Sequence, residues 1–268
     1  MNALVNTLMD AIQTCCAPVF VCRRIDSPPS AVNDNATCGF FDTGIRKILI
    51  TAHHVIASFR TMKSDHGEAV LAINVGSGNT IALPELDILD EDERFLDLAI
   101  LEFPHLGTCG GACTKRYFPI RSFPPPLPKP GDALSLVGYP GVLRKTSEHR
   151  GSFSPVSIGY TISSVSERQI VLSDEHGDRK VVGNQFSSAE EVPMGGFSGS
   201  PAYIIRQDGA HLVGILRAGS KTVGAAPVNL PGVIFLSPTH CLTPDGMLDR
   251  GRMPWIHLNE RLNEQAHE

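Results

Sequence analysis

Eight residues near the middle of the chain, Phe123-Pro124-Pro125-Pro126-Leu127-Pro128-Lys129-Pro130, constrain the fold more than any other stretch. Proline lacks the N–H that helices and sheet ladders need, so a run this dense forms neither a helix nor a central strand. It runs as a stiff, extended connection and divides the chain in two. On both sides of it, short apolar and β-branched runs alternate with clusters of Gly, Pro, Asn, Asp and Ser, the pattern of strands joined by turns. The 25 glycines and 20 prolines supply those turns. Strands are expected at Pro18–Cys22, Cys38–Phe41, Lys47–Thr51, Val70–Val75, Thr80–Leu83 and Leu96–Phe103 before the proline run. After it they are expected at Ala133–Val137, Tyr160–Val165, Gln169–Ser173, Ala202–Arg206, His211–Leu216 and Val233–Leu236. Ser27–Thr37 reads as a polar loop, and the acidic run Asp87–Glu93 as a solvated loop. Helical spacing is confined to the two ends: Leu4, Val5, Leu8, Met9 and Ile12 at one, Trp255, Leu258 and Leu262 at the other.

These observations predict an all-β fold of two packed, six-stranded-type antiparallel β-barrels, with short N- and C-terminal helices. The expected division is an N-terminal helix over 1–16, a barrel over 17–122, the Pro-rich linker over 123–131, a second barrel over 132–245 and a helical tail over 246–268. The 268 residues can bury a substantial core, and 42% apolar with 19% charged residues fits a folded protein. A net charge of −5 gives no reason to expect a nucleic-acid partner. No apolar stretch approaches a membrane span, so no membrane partner is expected. Seven cysteines, two of them adjacent at Cys15 and Cys16, make a poor disulfide framework. With no basic side chain before Arg23, the first segment does not read as a secretory signal. The expectation is a cytoplasmic protein with reduced thiols. His105, Cys109 and Cys113 recur at even spacing but lack the fourth ligand of a structural zinc site, so no metal is expected.

Chemistry concentrates in Gly195-Gly196-Phe197-Ser198-Gly199-Ser200-Pro201. Glycines let the backbone take positive φ and let other backbone approach, so a serine there can stand bare beside main-chain N–H donors. Serine oxygen attacks a carbonyl only when a base takes its proton, and that base is usually a histidine held by a carboxylate. His53 and His54, in Ile50-Thr51-Ala52-His53-His54-Val55, sit where a strand should give way to a helical turn. Asp97, heading the apolar Leu98-Ala99-Ile100-Leu101, is a carboxylate that burial obliges to find a donor. Each also has a plain structural reading: a loop, a satisfied core histidine, a capping aspartate.

Taken together, Thr51-Ala52-His53-His54-Val55, Asp97-Leu98-Ala99-Ile100 and Gly196-Phe197-Ser198-Gly199-Ser200-Pro201 resemble the three signatures of trypsin-like (chymotrypsin-fold) serine peptidases, in that family's chain order. Gly214-Ile215-Leu216-Arg217-Ala218-Gly219 is similar to the strand lining its substrate cleft, and Leu230-Pro231-Gly232-Val233 to the far wall of its specificity pocket. The resemblance runs from about Ala17 to Leu236. It implies His54 as the base, Asp97 as its orienting carboxylate, Ser198 as the nucleophile, and the N–H groups of Gly196 and Ser198 as the oxyanion hole. It further implies a polypeptide substrate laid along Arg217, Ala218 and Gly219, a pocket bounded by Val192, Met194 and Gly232, an acyl-enzyme, and no cofactor. The absence of an acidic residue at the pocket's base suggests an apolar P1 side chain.

Two departures stand out. Phe197 occupies the place of the aspartate that pairs with a freed N-terminus on zymogen cleavage, so activation by that route is not expected. In this the chain resembles bacterial intracellular and HtrA-like members, with the parallel limited to the protease unit. Arg217 replaces a small polar residue and is expected either to contact substrate or to perturb the triad. The alternatives are a protease-fold binding module with little or no turnover, or a latent protease activated by a protein partner. An α/β-hydrolase, with Asp208 and His240 following Ser198, would need a helix after the serine, where Pro201-Ala202-Tyr203-Ile204-Ile205 reads as turn and strand.

Overall fold

The computed structural model describes residues 2–23, 35–76, 79–108, 113–147, 150–172, 180–182, 195–219 and 233–253. Several of the apolar runs, such as Cys16–Cys22 and Leu98–Leu101, are strands buried on both faces, as packed layers allow. Before the proline run come β1 (Cys16–Cys22), β2 (Asn35–Asp42), β3 (Lys47–Ala52), β4 (Val70–Gly76), β5 (Asn79–Leu83), β6 (Ile88–Asp92), β7 (Leu98–Glu102) and the short β8 (Phe118–Pro119). They form one sheet in the order β5-β4-β1-β2-β3-β7-β6, with β8 parallel to β2. After it come β9 (Ala133–Gly138), the small pair β10 (Lys145–Ser147) and β11 (Arg150–Ser152), β12 (Val156–Val165), β13 (Ile170–Leu172), β14 (Lys180–Val182), β15 (Pro201–Arg206), β16 (Gly209–Gly219) and β17 (Ile234–Pro238). Here β12 pairs with both β9 and β13, which closes the ring β13-β17-β16-β15-β9-β12 into a six-stranded antiparallel barrel.

Each sheet has its own core, and a third apolar layer joins them. Phe40, Leu49, Leu71, Ile73 and Phe103 pack within the first sheet, and Leu136, Ile158, Phe197, Leu216 and Leu236 within the barrel. Phe41, Ile50 and Ile100 of the first sheet meet Tyr139, Tyr203 and Ile215 of the second. Each such aliphatic or phenylalanine side chain contributes roughly 1.5–3 kcal/mol of burial. The N-terminal helix α1 (Asn2–Gln13) seats Met9 and Ile12 in the joining layer. Gln13 donates to Ser157 Oγ at 2.9 Å, which ties α1 to the barrel as well. The expected C-terminal helix lies outside the described residues.

Two expectations are corrected. Helix is not confined to the ends: α2 (His53–His66) runs for 14 residues directly after β3 and ends at Gly67 in the left-handed conformation. Val55, Ile56 and Phe59 give it a buried face. The acidic run is not a solvated loop, because Ile88–Asp92 pairs with β7. Its charges are neutralised from a distance: Arg250 bridges Asp90 at 2.6 Å and Asp92 at 3.2 Å, and Arg60 reaches Glu91 at 3.0 Å.

Candidate active site

The junction of β3 and α2 needs a helix cap that its own residue, Ala52, cannot supply. Asp97 supplies it from the head of β7. Its carbonyl accepts from His53 N at 3.0 Å, and its Oδ1 accepts from His54 N at 2.9 Å. The second carboxylate oxygen, Oδ2, lies 2.7 Å from His54 Nδ1. One carboxylate thus fixes the start of the helix and the ring of its second residue. With Nδ1–H donating to Asp97, the neutral ring carries its lone pair on Nε2, the tautomer a general base requires. The His54 side chain is 50% exposed while Asp97 is 19% exposed, so the ring is accessible and its partner is sheltered. The neighbouring His53 turns away into the protein, with Nε2 3.6 Å from Glu91 Oε2.

Asp97 has φ +49°, and among the described residues no other non-glycine residue has positive φ. Such a conformation persists only where its surroundings hold it. The N–H groups of Phe95 and Leu96 both donate to Asp92 Oδ1 at 2.8 Å. The carbonyls of Phe95, Leu96 and Asp97 are taken by Arg217 Nη1, Ser237 Oγ and His53 N in turn.

The Ser198 turn is held by backbone. Ser198 O accepts from Thr37 N at 2.8 Å, Gly199 N donates to Leu216 O at 2.8 Å, and Leu216 N donates to Ser200 O at 2.8 Å. Thr37 Oγ1 donates to Gly196 O at 2.8 Å and accepts from Tyr139 N at 3.0 Å. Gly199, at φ +82°, lies so close to the first sheet that an added Cβ would meet Thr37 O and stand 2.6 Å from Thr51 Oγ1 and 2.9 Å from Ala52 N. The serine therefore sits one residue from a glycine pressed on the strand end that launches His54. Gly196, at φ +95°, is equally constrained, since a Cβ would stand 2.6 Å from Tyr139 O and 2.8 Å from Gly141 N. Among the described residues, no acceptor takes the N–H of Gly196 or of Ser198. Two unclaimed donors beside a half-buried serine are what an oxyanion site needs. Phe197 between them is fully buried in the barrel core, against Gly138.

Of the residues expected to meet substrate, Arg217, Ala218 and Gly219 lie on β16, where the pairing with β17 shifts register between Leu216 and Ala218. The Arg217 side chain points to Phe95 O at 2.5 Å and Gln169 Oε1 at 3.3 Å. Val192, Met194 and Gly232 lie outside the described residues. Cys109 does too, and among the described residues no group of three or more potential ligands could hold a metal. The residues after Ser198 form the strand β15, and Asp208 pairs with His211 at 2.8 Å, so the α/β-hydrolase arrangement is absent. Thr37 was missed in the sequence, where it closed a polar loop. Its signal was position: a β-branched residue at the head of the run Cys38-Gly39-Phe40-Phe41.

No family model and no curated protein sequence matches the chain. Among solved structures, it is similar to Deg5, with 15% identity and a TM-score of 0.48 over 88% of this chain and 89% of that one. It is also similar to AL20, a thermostable serine protease from an extremophilic microorganism, with 16% identity and a TM-score of 0.44 over 86% of this chain and 92% of that one.

Proposed function

We propose that this chain is a serine endopeptidase that hydrolyses peptide bonds through Ser198, His54 and Asp97. The observation that carries the proposal is the half-exposed His54 ring bonded to Asp97 at 2.7 Å, at the strand end against which the Ser198 turn is latched. In this reading His54 Nε2 takes the Ser198 proton as Oγ attacks the scissile carbonyl. Asp97 stabilises the imidazolium, and the N–H groups of Gly196 and Ser198 receive the oxyanion. His54 then returns the proton to the leaving amine, and water repeats the sequence on the acyl-enzyme. A peptide would lie along the Arg217–Gly219 main chain as an added strand. The buried Phe197 supports control by some route other than an ion pair with a freed N-terminus.

Cleavage of a diverse peptide library, read by mass spectrometry, tests the proposal. New termini are expected with the wild type and not with Ser198→Ala, and apolar P1 residues should predominate. Equal cleavage by both proteins would refute the assignment of Ser198, and a strict Arg/Lys preference would refute the apolar pocket.

A further inference from the structure

Arg217 raises a question of cost. Its guanidinium is partly buried, and among the described residues no carboxylate lies within ion-pair distance. Among the described residues, its hydrogen bonds go to two neutral oxygens, Phe95 O and Gln169 Oε1. Partial desolvation of a cation without a counter-charge is unfavourable, so the position is not explained by ion pairing. What the side chain does hold is informative. Phe95 O is the first of three successive carbonyls leading into Asp97, whose backbone is in the left-handed region. Ser237, on β17, takes the second through Oγ. The barrel thus reaches across to the other sheet with two side chains and grips the segment that presents the carboxylate.

We infer that Arg217 is a positioning residue that fixes the Asp97 segment from the barrel side, with Ser237 as its companion and Gln169 as its outer anchor. This rests on the proposed peptidase reading. Arg217 also sits on the strand along which the peptide would lie, so one residue's main chain serves the substrate while its side chain serves the carboxylate. The planar fork suits the task because it bonds two acceptors in fixed directions, which a lysine cannot do. Without it, Asp97 loses part of what offsets its strained conformation, and the His54 ring loses its fixed partner.

The test compares wild type, Arg217→Lys, Arg217→Ala, Gln169→Ala and Asp97→Asn. Labelling by a fluorophosphonate is resolved into a maximal rate and a half-saturating concentration, and the His54 Nδ1 proton is followed by NMR. Arg217→Ala should lower the maximal rate on the order of 10- to 100-fold, as small misplacements of a catalytic group do, with little change in half-saturation. It should also displace the Nδ1 resonance that Asp97→Asn abolishes. Arg217→Lys should recover part of both, and Gln169→Ala should have a smaller effect than Arg217→Ala. A wild-type maximal rate and resonance in Arg217→Ala would overturn the inference, and so would an effect on half-saturation alone, which would make Arg217 a substrate contact. If Arg217→Ala does not fold, the lysine variant carries the same comparison. A wild type that does not label at all would refute the peptidase reading, and the resonance would then decide the role of Arg217 by itself.

Discussion

The two sheets meet at the candidate site but hold their parts of it by different means. The first sheet, an open path of strands among the described residues, presents His54 and Asp97, and these are fixed by side-chain hydrogen bonds of 2.7 and 2.9 Å. The closed barrel presents Ser198, and that turn is fixed mainly by backbone bonds, with one from the Thr37 hydroxyl, and by two glycines with no room for a Cβ. One half depends on which functional group is present, the other on which side chain is missing. A charge-changing isostere should therefore break the first half without harming the fold. An added methyl should break the second half through the fold.

The largest effects should come from the first half. Asp97→Asn keeps the shape but favours the wrong ring tautomer, and peptide hydrolysis should fall by about 10⁴-fold with the melting curve little changed. A loss of under tenfold would separate Asp97 from the chemistry. Phe197→Asp would place an unpaired charge in the barrel core. It should cost roughly 3–5 kcal/mol in chemical denaturation, and an unchanged midpoint would mean that the position can reach solvent. Gly199→Ala should also destabilise, by more than about 1 kcal/mol, because it combines positive φ with a backbone clash. In the folded fraction, labelling of Ser198 should be lost.

A comparable effect, set by pH and not by mutation, follows from the buried thiols Cys16, Cys38 and Cys241. Burial pushes Cys16 from its ordinary 9.0 up to about 12, raises Cys38 further, and raises Cys241 to about 12. Between about pH 9 and 12 the unfolded chain gives up these protons while the folded chain retains them, so the unfolded state binds fewer protons. Stability should therefore be complete below pH 9 and fall as pH rises, by about 1.4 kcal/mol per pH unit for each thiol. Lys115, whose pKa burial lowers, works in the opposite direction and offsets part of the slope. Denaturant midpoints at pH 8 and 10 check the sign, and a rise at pH 10 would contradict the burial. The smallest effect is expected from Arg250→Ala, since the arginine is 42% exposed, and about 1 kcal/mol is the scale for such pairs.

The comparison also explains what the sequence could show. The three motifs and most strands were legible because each depends on residues close together in the chain. Phe197 was legible as a departure for the same reason. The strand Ile88–Asp92 was not, because its acidic side chains look solvated until Arg250, 160 residues from Asp90, comes to meet them. The length of α2 was hidden because its first turn is capped by Asp97, 43 residues from His54, and not by a residue preceding the helix. Thr37 and the side-chain contacts of Arg217 were hidden likewise, since both reach across the two sheets. Sequence pattern reports the groups proposed to do chemistry more readily than the groups that hold them.

The most direct measurement of the central claim is intact mass after treatment with a fluorophosphonate, on wild type, Ser198→Ala and His54→Ala. Assembly of Ser198, His54 and Asp97 into one site predicts a single adduct on the wild type and none on either variant. No adduct on the wild type, or one that persists in Ser198→Ala, would contradict it.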